Sequence, residues 1–402
     1  MADNGLVFDI MGIANRFFHN INLGNVAEGF EKKVKEETER LQRVNILVAG
    51  CTGVGKSTLI NAAFRDNLAE TGVGDPVTDH IDLITKKDVP LGIYDTRGLE
   101  LDKDAQKKAI RDIKDLIKDN QKKGIGERIH LVWYCVSAGS KRFQSVEENL
   151  LKDIANYNVP AVLVLTQVFD AKSAAEFKSI LENKNLPIKK VIPVLAMDMP
   201  GCKAFGVDDM VEYSVGLLPE EIRPSFINAV KANKLKRERA QKIVWGTVAG
   251  NFAIGFIPIP FSDAILLGAT EMAMLGSIAA AYGLNIKKDD LIGILTPLAG
   301  VGAAQAGGKA IVGGVAKLIP GVGIVVGGVI SGVTAAILTF ALGNAFIALM
   351  DMVAIGKIDA SKIRSIEAIN ALKKAYKENL KIGAKKFEKG LPAPEAPPNG
   401  GM

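Results

Sequence analysis

From residue 44 to about residue 217, short apolar runs alternate with longer stretches in which apolar residues recur every three or four positions. Short runs bounded by turn-forming residues read as buried strands, and the longer recurrence reads as helices. The spacing predicts strands over 45–49, 91–94, 129–136, 161–165 and 191–196, and helices over 57–64, 103–122, 143–157, 171–181 and 207–217. Such alternation predicts an α/β domain, a mostly parallel sheet covered on both faces by helices. Residues 80–85 lie close enough to 91–94 to pair with it as one antiparallel edge strand. Residues 72–78 read as an irregular loop.

Beyond about residue 240 the pattern changes. Residues 243–262 are twenty positions without a charge, and 318–350 are thirty-three. Residues 264–270 and 272–286 flank the lone Glu271, and 291–308 are again uncharged. The expectation is an all-α, Gly/Ala-rich apolar helical domain. A helix over 220–242 leads into it and a Lys-rich helix over about 358–388 follows, ahead of a Pro-rich tail, 391–402, expected to be disordered. At the other end Leu6, Ile10, Ile13 and Phe17 recur at helical spacing, ahead of a charged helix over 28–43. The expected organisation is N-terminal helices over 1–42, an α/β domain over 43–217, the apolar helical domain over 218–390, and the tail.

The apolar domain has two readings. About twenty apolar residues cross a bilayer, and glycines suit close helix contact in lipid. Lys and Arg on both flanks then call for an even number of crossings or re-entrant hairpins, with the termini in the cytosol. Lys234, Lys236, Arg237, Arg239 and Lys242 stand just before this region, either as a solvated helix face or as an anchor to anionic lipid. In the second reading the helices form the buried centre of a self-contained bundle. Asp263, Glu271, Lys309 and Lys317 favour that, because an unpaired charge in hydrocarbon is costly. The leading expectation is a cytoplasmic protein associated with or inserted in a membrane.

Composition narrows this only modestly. The chain has 402 residues, 48% of them hydrophobic and 23% charged, and a net charge of +6. No basic stripe with interleaved aromatics is present, so no nucleic-acid partner is expected. Cys51, Cys135 and Cys202 are too scattered for a disulfide framework or a zinc site. The first twenty residues lack the charge pattern of a secretory signal.

The strongest chemical signal is Gly50-Cys51-Thr52-Gly53-Val54-Gly55-Lys56-Ser57, which matches G-x-x-x-x-G-K-[ST] between a strand and a helix. Glycines let backbone N–H groups curl around phosphates at a helix N-terminus, where the dipole also favours negative charge. Gly50, Thr52, Gly53, Val54, Gly55, Lys56, Ser57 and Thr58 are the expected phosphate cradle. Lys56 is expected to reach the β- and γ-phosphates and Ser57 to ligate Mg²⁺. Asp95-Thr96-Arg97-Gly98 follows a strand about forty residues later. Asp95 is placed to hold the metal through water, and the Gly98 N–H to meet the γ-phosphate. Thr78 is the expected second hydroxyl on Mg²⁺, with Thr71 as the fallback.

Base recognition is less regular. Guanine is usually read by an Asn/Thr-Lys-x-Asp turn whose Asp accepts from N1–H and N2–H of the base. Here the strand ends in Thr166-Gln167-Val168-Phe169-Asp170. If Thr166 opens the turn, the Asp arrives one residue late; if Gln167 opens it, Val168 replaces the Lys. Asp170 is the expected base contact, with helix capping as its other reading, and the Ala196 N–H is placed to meet the guanine carbonyl. The expected ligands are GTP or GDP with Mg²⁺.

These elements resemble the Era-like branch of translation-factor-type GTPases over about residues 43–217, and Gly72-Val73-Gly74-Asp75-Pro76-Val77-Thr78 is similar to a stretch in Era-like and interferon-inducible GTPases. The C-terminal part, with Ile257-Pro258-Ile259-Pro260, resembles a bacterial membrane-associated family that joins such a GTPase to an apolar domain. The resemblance implies a switch that hydrolyses GTP and acts at a membrane, as dynamin-like proteins do. The alternative it implies is a soluble regulator of a protein or ribonucleoprotein assembly.

Leu99 stands where Ras-type enzymes carry the glutamine that orients water, so slow intrinsic hydrolysis is expected. Lys56, Thr78, Gly98 and Glu100 form the expected catalytic set, Glu100 as water-positioner. Arg97 and Arg142 are internal candidates for a stabilising charge, or solvent-facing residues. Acceleration is expected from a homodimer through this domain, from lipid, or from an activating protein.

Overall fold

The computed structural model describes residues 23–65, 68, 73–97, 103–254, 263–299 and 332–387. The chain divides into two compact units: Glu39–Leu235, and Met1–Thr38 together with Lys236–Met402. This differs from the boundaries read from the sequence at 42/43 and 217/218. Residues 218–235 go with the first unit because Ile222, Phe226, Val230 and Leu235 are buried in its core. Helix α1 (Leu23–Glu39) goes almost entirely with the second, where Phe30 is fully buried.

The first unit is the expected α/β layer structure. In chain order it holds β1 (Val44–Gly50), α2 (Lys56–Ala63), β2 (Val73–Thr78), β3 (Ile81–Thr85), β4 (Leu91–Thr96) and α3 (Lys103–Asn120). There follow β5 (Leu131–Ser137), α4 (Ser145–Ala155), β6 (Ala161–Thr166), α5 (Ala171–Glu182), β7 (Lys190–Pro193), α6 (Val207–Leu217) and α7 (Arg223–Ala229). The seven strands are ordered β2-β3-β4-β1-β5-β6-β7. β4, β1, β5, β6 and β7 run parallel, and β3 runs against β4, with β2 outside it at the edge. Central strands buried on both faces need continuous apolar sequence, and Val44–Gly50 is buried at every position.

Two local expectations are corrected. Residues 73–78 are not loop but β2, paired antiparallel outside β3. A Gly- and Pro-containing segment has weak strand preference by itself, but the unpaired edge of β3 supplies hydrogen-bond partners, and Pro76 sits at a register shift, where a missing N–H is tolerated. The single helix expected over 220–242 is two, α7 and α8 (Asn233–Ile254). Between them Val230 bridges Phe64 and the Lys231 N–H donates to Ala63 O at 2.8 Å, which spends backbone groups a continuous helix would need.

The second unit comprises α1, most of α8, α9 (Asp263–Tyr282), α10 (Lys288–Ala299), α11 (Gly332–Ala354) and α12 (Ile366–Lys386) among the described residues. α11 carries the one described segment long and apolar enough to cross a membrane, Ala335–Ala354, and 83% of that window is buried within the protein. Glu271 is also buried, on α9. Its Oε1 accepts from the Thr339 hydroxyl at 2.7 Å, and the same hydroxyl accepts from Asn251 Nδ2 at 2.8 Å. The expected amphipathic helix near residues 6–18, the 257–260 and 319–322 echo, and the 391–402 tail lie outside the described residues.

Candidate nucleotide site

The described phosphate-, metal- and base-candidate residues lie at or just beyond the carboxyl ends of the parallel strands β1, β4, β6 and β7, where open α/β sheets bind ligands, with Thr78 at the end of the antiparallel β2. β1 ends at Gly50, whose left-handed φ of 143° turns the chain out of the sheet. A Cβ there would lie 2.3 Å from Cys135 O on β5, so only glycine fits. Gly55, at φ 93°, is the N-cap of α2 with no side-chain cap, so the first-turn N–H groups are left for an anionic ligand. Thr52, Gly53, Ser57 and Thr58 are exposed, while Val54 is buried.

Lys56 is 8% exposed, and its Nζ donates to the carbonyls of Gly50 at 3.0 Å and Cys51 at 2.9 Å. The ammonium is thus folded over the loop it would close around a phosphate. Asp95 pairs with Val48 across the β1–β4 ladder and with Asp82 across β3–β4. Its Oδ1 is buried with no hydrogen-bond partner among the described residues. Burial raises its carboxyl to about 6, against the pull of the Lys56 ammonium and with a further push from Asp82. A half-buried carboxylate with an unused, buried oxygen fits a divalent cation or its bound water. The donors nominated with it, the Ser57 and Thr78 hydroxyls, are also hard oxygens of the kind Mg²⁺ takes.

Thr78 closes β2 opposite Ile81, and Ile81 lies opposite Thr96, so the ladder carries Thr78 to the same end of the sheet as Asp95. Its Oγ1 accepts from the His80 N–H at 3.1 Å. Arg97 is no free cation: its Nε and Nη2 donate to Asp82 at 2.9 and 2.7 Å. Arg142 is exposed. Gly98, Leu99, Glu100 and Thr71 lie outside the described residues.

The turn after β6 is tied by its side chains to the Gly50–Ser57 loop. The Thr166 hydroxyl donates to Val54 O at 2.5 Å, and Gln167 Nε2 donates to Gly53 O at 2.7 Å. Both side chains therefore brace the Gly50–Ser57 loop. Gln167 sits at φ 55°. Asp170, the expected base contact, is otherwise engaged. Its two carboxylate oxygens accept from Lys172 N and Ser173 N, both at 3.2 Å, and cap α5. The cap is needed because α5 starts immediately after the turn. Ala196 is half-buried beyond the end of β7. Sequence reading missed Ser137, whose hydroxyl donates to Gln167 Oε1 at 2.8 Å. Its place as the last residue of β5 was the available signal.

Residues 45–167 match the family model described as 50S ribosome-binding GTPase, and residues 228–375 match the domain of unknown function DUF697. A curated relative, magnetosome membrane protein 22 of Magnetospirillum gryphiswaldense, is 29% identical over 108 residues, covering 27% of this chain and 55% of the relative. The chain thus spans about half the length of the curated relative it matches. Among solved structures, a probable GTP-binding protein engB is 19% identical at a TM-score of 0.31, covering 45% of this chain and 99% of that one. Era in complex with MgGDPNP and a 16S ribosomal RNA fragment is 16% identical at 0.32, covering 45% and 58%. The chain joins a P-loop GTPase domain to a C-terminal DUF697 domain.

Proposed function

We propose that this chain is a guanine-nucleotide switch that hydrolyses GTP slowly with Mg²⁺ and acts at a membrane through its helical unit. The observation that carries the nucleotide reading is the loop from Gly50 to Ser57, turned out of a buried strand, with the Lys56 ammonium lying over its carbonyls. In this reading the loop amides, Lys56, Ser57 and Thr58 take the phosphates. Ser57, Thr78 and Asp95 hold Mg²⁺, which neutralises charge on the β- and γ-oxygens when bound, and the Gly98 N–H meets the γ-phosphate. Glu100 positions the attacking water in place of the missing glutamine. Lys56→Ala is expected to lower guanine-nucleotide affinity by about tenfold to a hundredfold. Unchanged affinity, measured by displacement of a fluorescent GDP, removes the assignment.

Slow turnover follows from Leu99, which cannot polarise water. Intrinsic hydrolysis by the isolated protein is expected at about 10⁻⁴ to 10⁻² s⁻¹, the range of unaided switch GTPases. Phosphate release near one per second without lipid or partner would contradict it.

Membrane action draws on the apolar Ala335–Ala354 segment and on the name of the curated relative. A second reading, a soluble GTPase regulating an assembly, is favoured by the burial of 83% of that segment. Flotation with anionic vesicles in GDP and in a non-hydrolysable GTP analogue separates the two. Recovery wholly in the unbound fraction with both nucleotides leaves the soluble reading.

A further inference from the structure

Two side chains at the end of β6 set the register of the base-reading turn. Thr166 and Gln167 are both committed to the phosphate loop, through Val54 O and Gly53 O, and Gly55 is packed against them: a Cβ there would lie 3.7 Å from Gln167 Cγ. With Thr166 as the opening residue, the third position is Val168, buried at 4% exposure, its N–H directed at Val194 O. The fourth position, where a guanine-reading turn carries its carboxylate, is Phe169, 57% exposed. The next residue, Asp170, has both carboxylate oxygens on the first-turn amides of α5.

Resting on the nucleotide reading above, we propose that this site reads its base as a 6-oxopurine without a carboxylate. The Ala196 N–H donates to O6, and Phe169 offers an aromatic face in place of the acid. An aromatic ring stacks on any base, so it adds affinity without discrimination. A backbone N–H pairs with a 6-oxo group and disfavours a 6-amino group, so adenine is still rejected. The 2-amino group of guanine meets no acceptor supplied for it. The ligand class is therefore guanosine and inosine nucleotides alike.

The test is competition against a fluorescent GDP on the full chain, with GDP, IDP, XDP and ADP as competitors. A charged hydrogen bond to the 2-amino group would weaken IDP relative to GDP by about tenfold or more. In its absence IDP is expected within about fivefold of GDP, with ADP far weaker. Phe169→Ala is expected to weaken GDP and IDP by the same factor, about fivefold or more. Asp170→Asn, which keeps a good cap, is expected to leave the ratio of GDP to XDP affinity, whatever its value in the parent, unchanged. IDP weaker than GDP by more than about fivefold, or an Asp170→Asn protein that comes to prefer XDP, overturns the inference and returns the base contact to Asp170. Failure of GDP itself to displace the probe is a different result and overturns the nucleotide reading.

Discussion

The Thr166 hydroxyl donates to the main-chain carbonyl of Val54 at 2.5 Å, tying the end of β6 to a loop that precedes it by 112 residues. With Gln167 Nε2 on Gly53 O, it holds the phosphate loop from the side opposite β4 in the strand order. The loop's shape thus rests in part on contacts from β6.

Thr166→Val keeps the side-chain volume and removes the donor. The buried Val54 carbonyl then lacks this partner, which costs about 1–3 kcal/mol of stability. Denaturant unfolding reads that loss, and nucleotide titration is expected to show weaker binding because the loop is less organised. A variant as stable as the parent would mean that the bond stabilises nothing.

Glu271 is expected to make the stability of the helical unit pH-dependent. Burial lifts its carboxyl to about 8, only partly offset by the Thr339 hydrogen bond, and its Oε2 has no hydrogen-bond partner among the described residues. Burial and the nearby Glu271 also raise the Tyr376 phenol. The folded state therefore keeps the Glu271 proton after the unfolded chain has lost it. Stability is fully present below the ordinary glutamate range and falls as pH rises to about 8, by up to about 1.4 kcal/mol per pH unit. Glu271→Gln mimics the protonated acid and is expected to flatten that slope. Thermal unfolding at pH 5, 6.5 and 8 tests it, and parallel profiles for the two proteins would refute it.

Asp351 joins helices that the chain separates widely. It accepts from the Tyr282 hydroxyl at 2.6 Å and from Arg237 Nε at 2.8 Å, tying α11 to α9 and α8. Arg237 can turn to water, but the buried Tyr282 hydroxyl cannot. Asp351→Ala is expected to cost about 1–3 kcal/mol. Calorimetry on the intact chain reads it, and an unchanged melting temperature would show the tyrosine re-partnered.

Two helical glycines are expected to respond in opposite directions. A Cβ on Gly343 would lie 2.5 Å from Val244 Cγ2 and 3.1 Å from Met274 Sδ, so Gly343→Ala overpacks the core by about 1–3 kcal/mol. A Cβ on Gly246 meets nothing within 4 Å among the described residues, so Gly246→Ala is expected to gain about 0.5–1 kcal/mol of helix propensity. Urea titration of the pair checks the sign. Stabilisation by both would mean that α8 and α11 pack less closely.

Sequence alone carried the α/β layering, most of its strands and helices, and the phosphate loop. These depend on apolar periodicity and on glycine spacing, which are local and survive without knowledge of neighbours. It also carried the Leu at the glutamine position and the presence of a second, apolar helical unit. It left open which residue opens the base turn, read β2 as loop, and offered Asp170 and Arg97 for roles near the nucleotide. Tertiary structure decided which partners these residues take. Each depends on a partner far along the chain or on a backbone group left over after other pairs have formed: Val54 for Thr166, the edge of β3 for β2, and Asp82 for Arg97. The same holds for α11, whose apolar length fits a bilayer and a protein core equally well. Composition sets how much a helix gains by leaving water, and only packing says what it leaves water for.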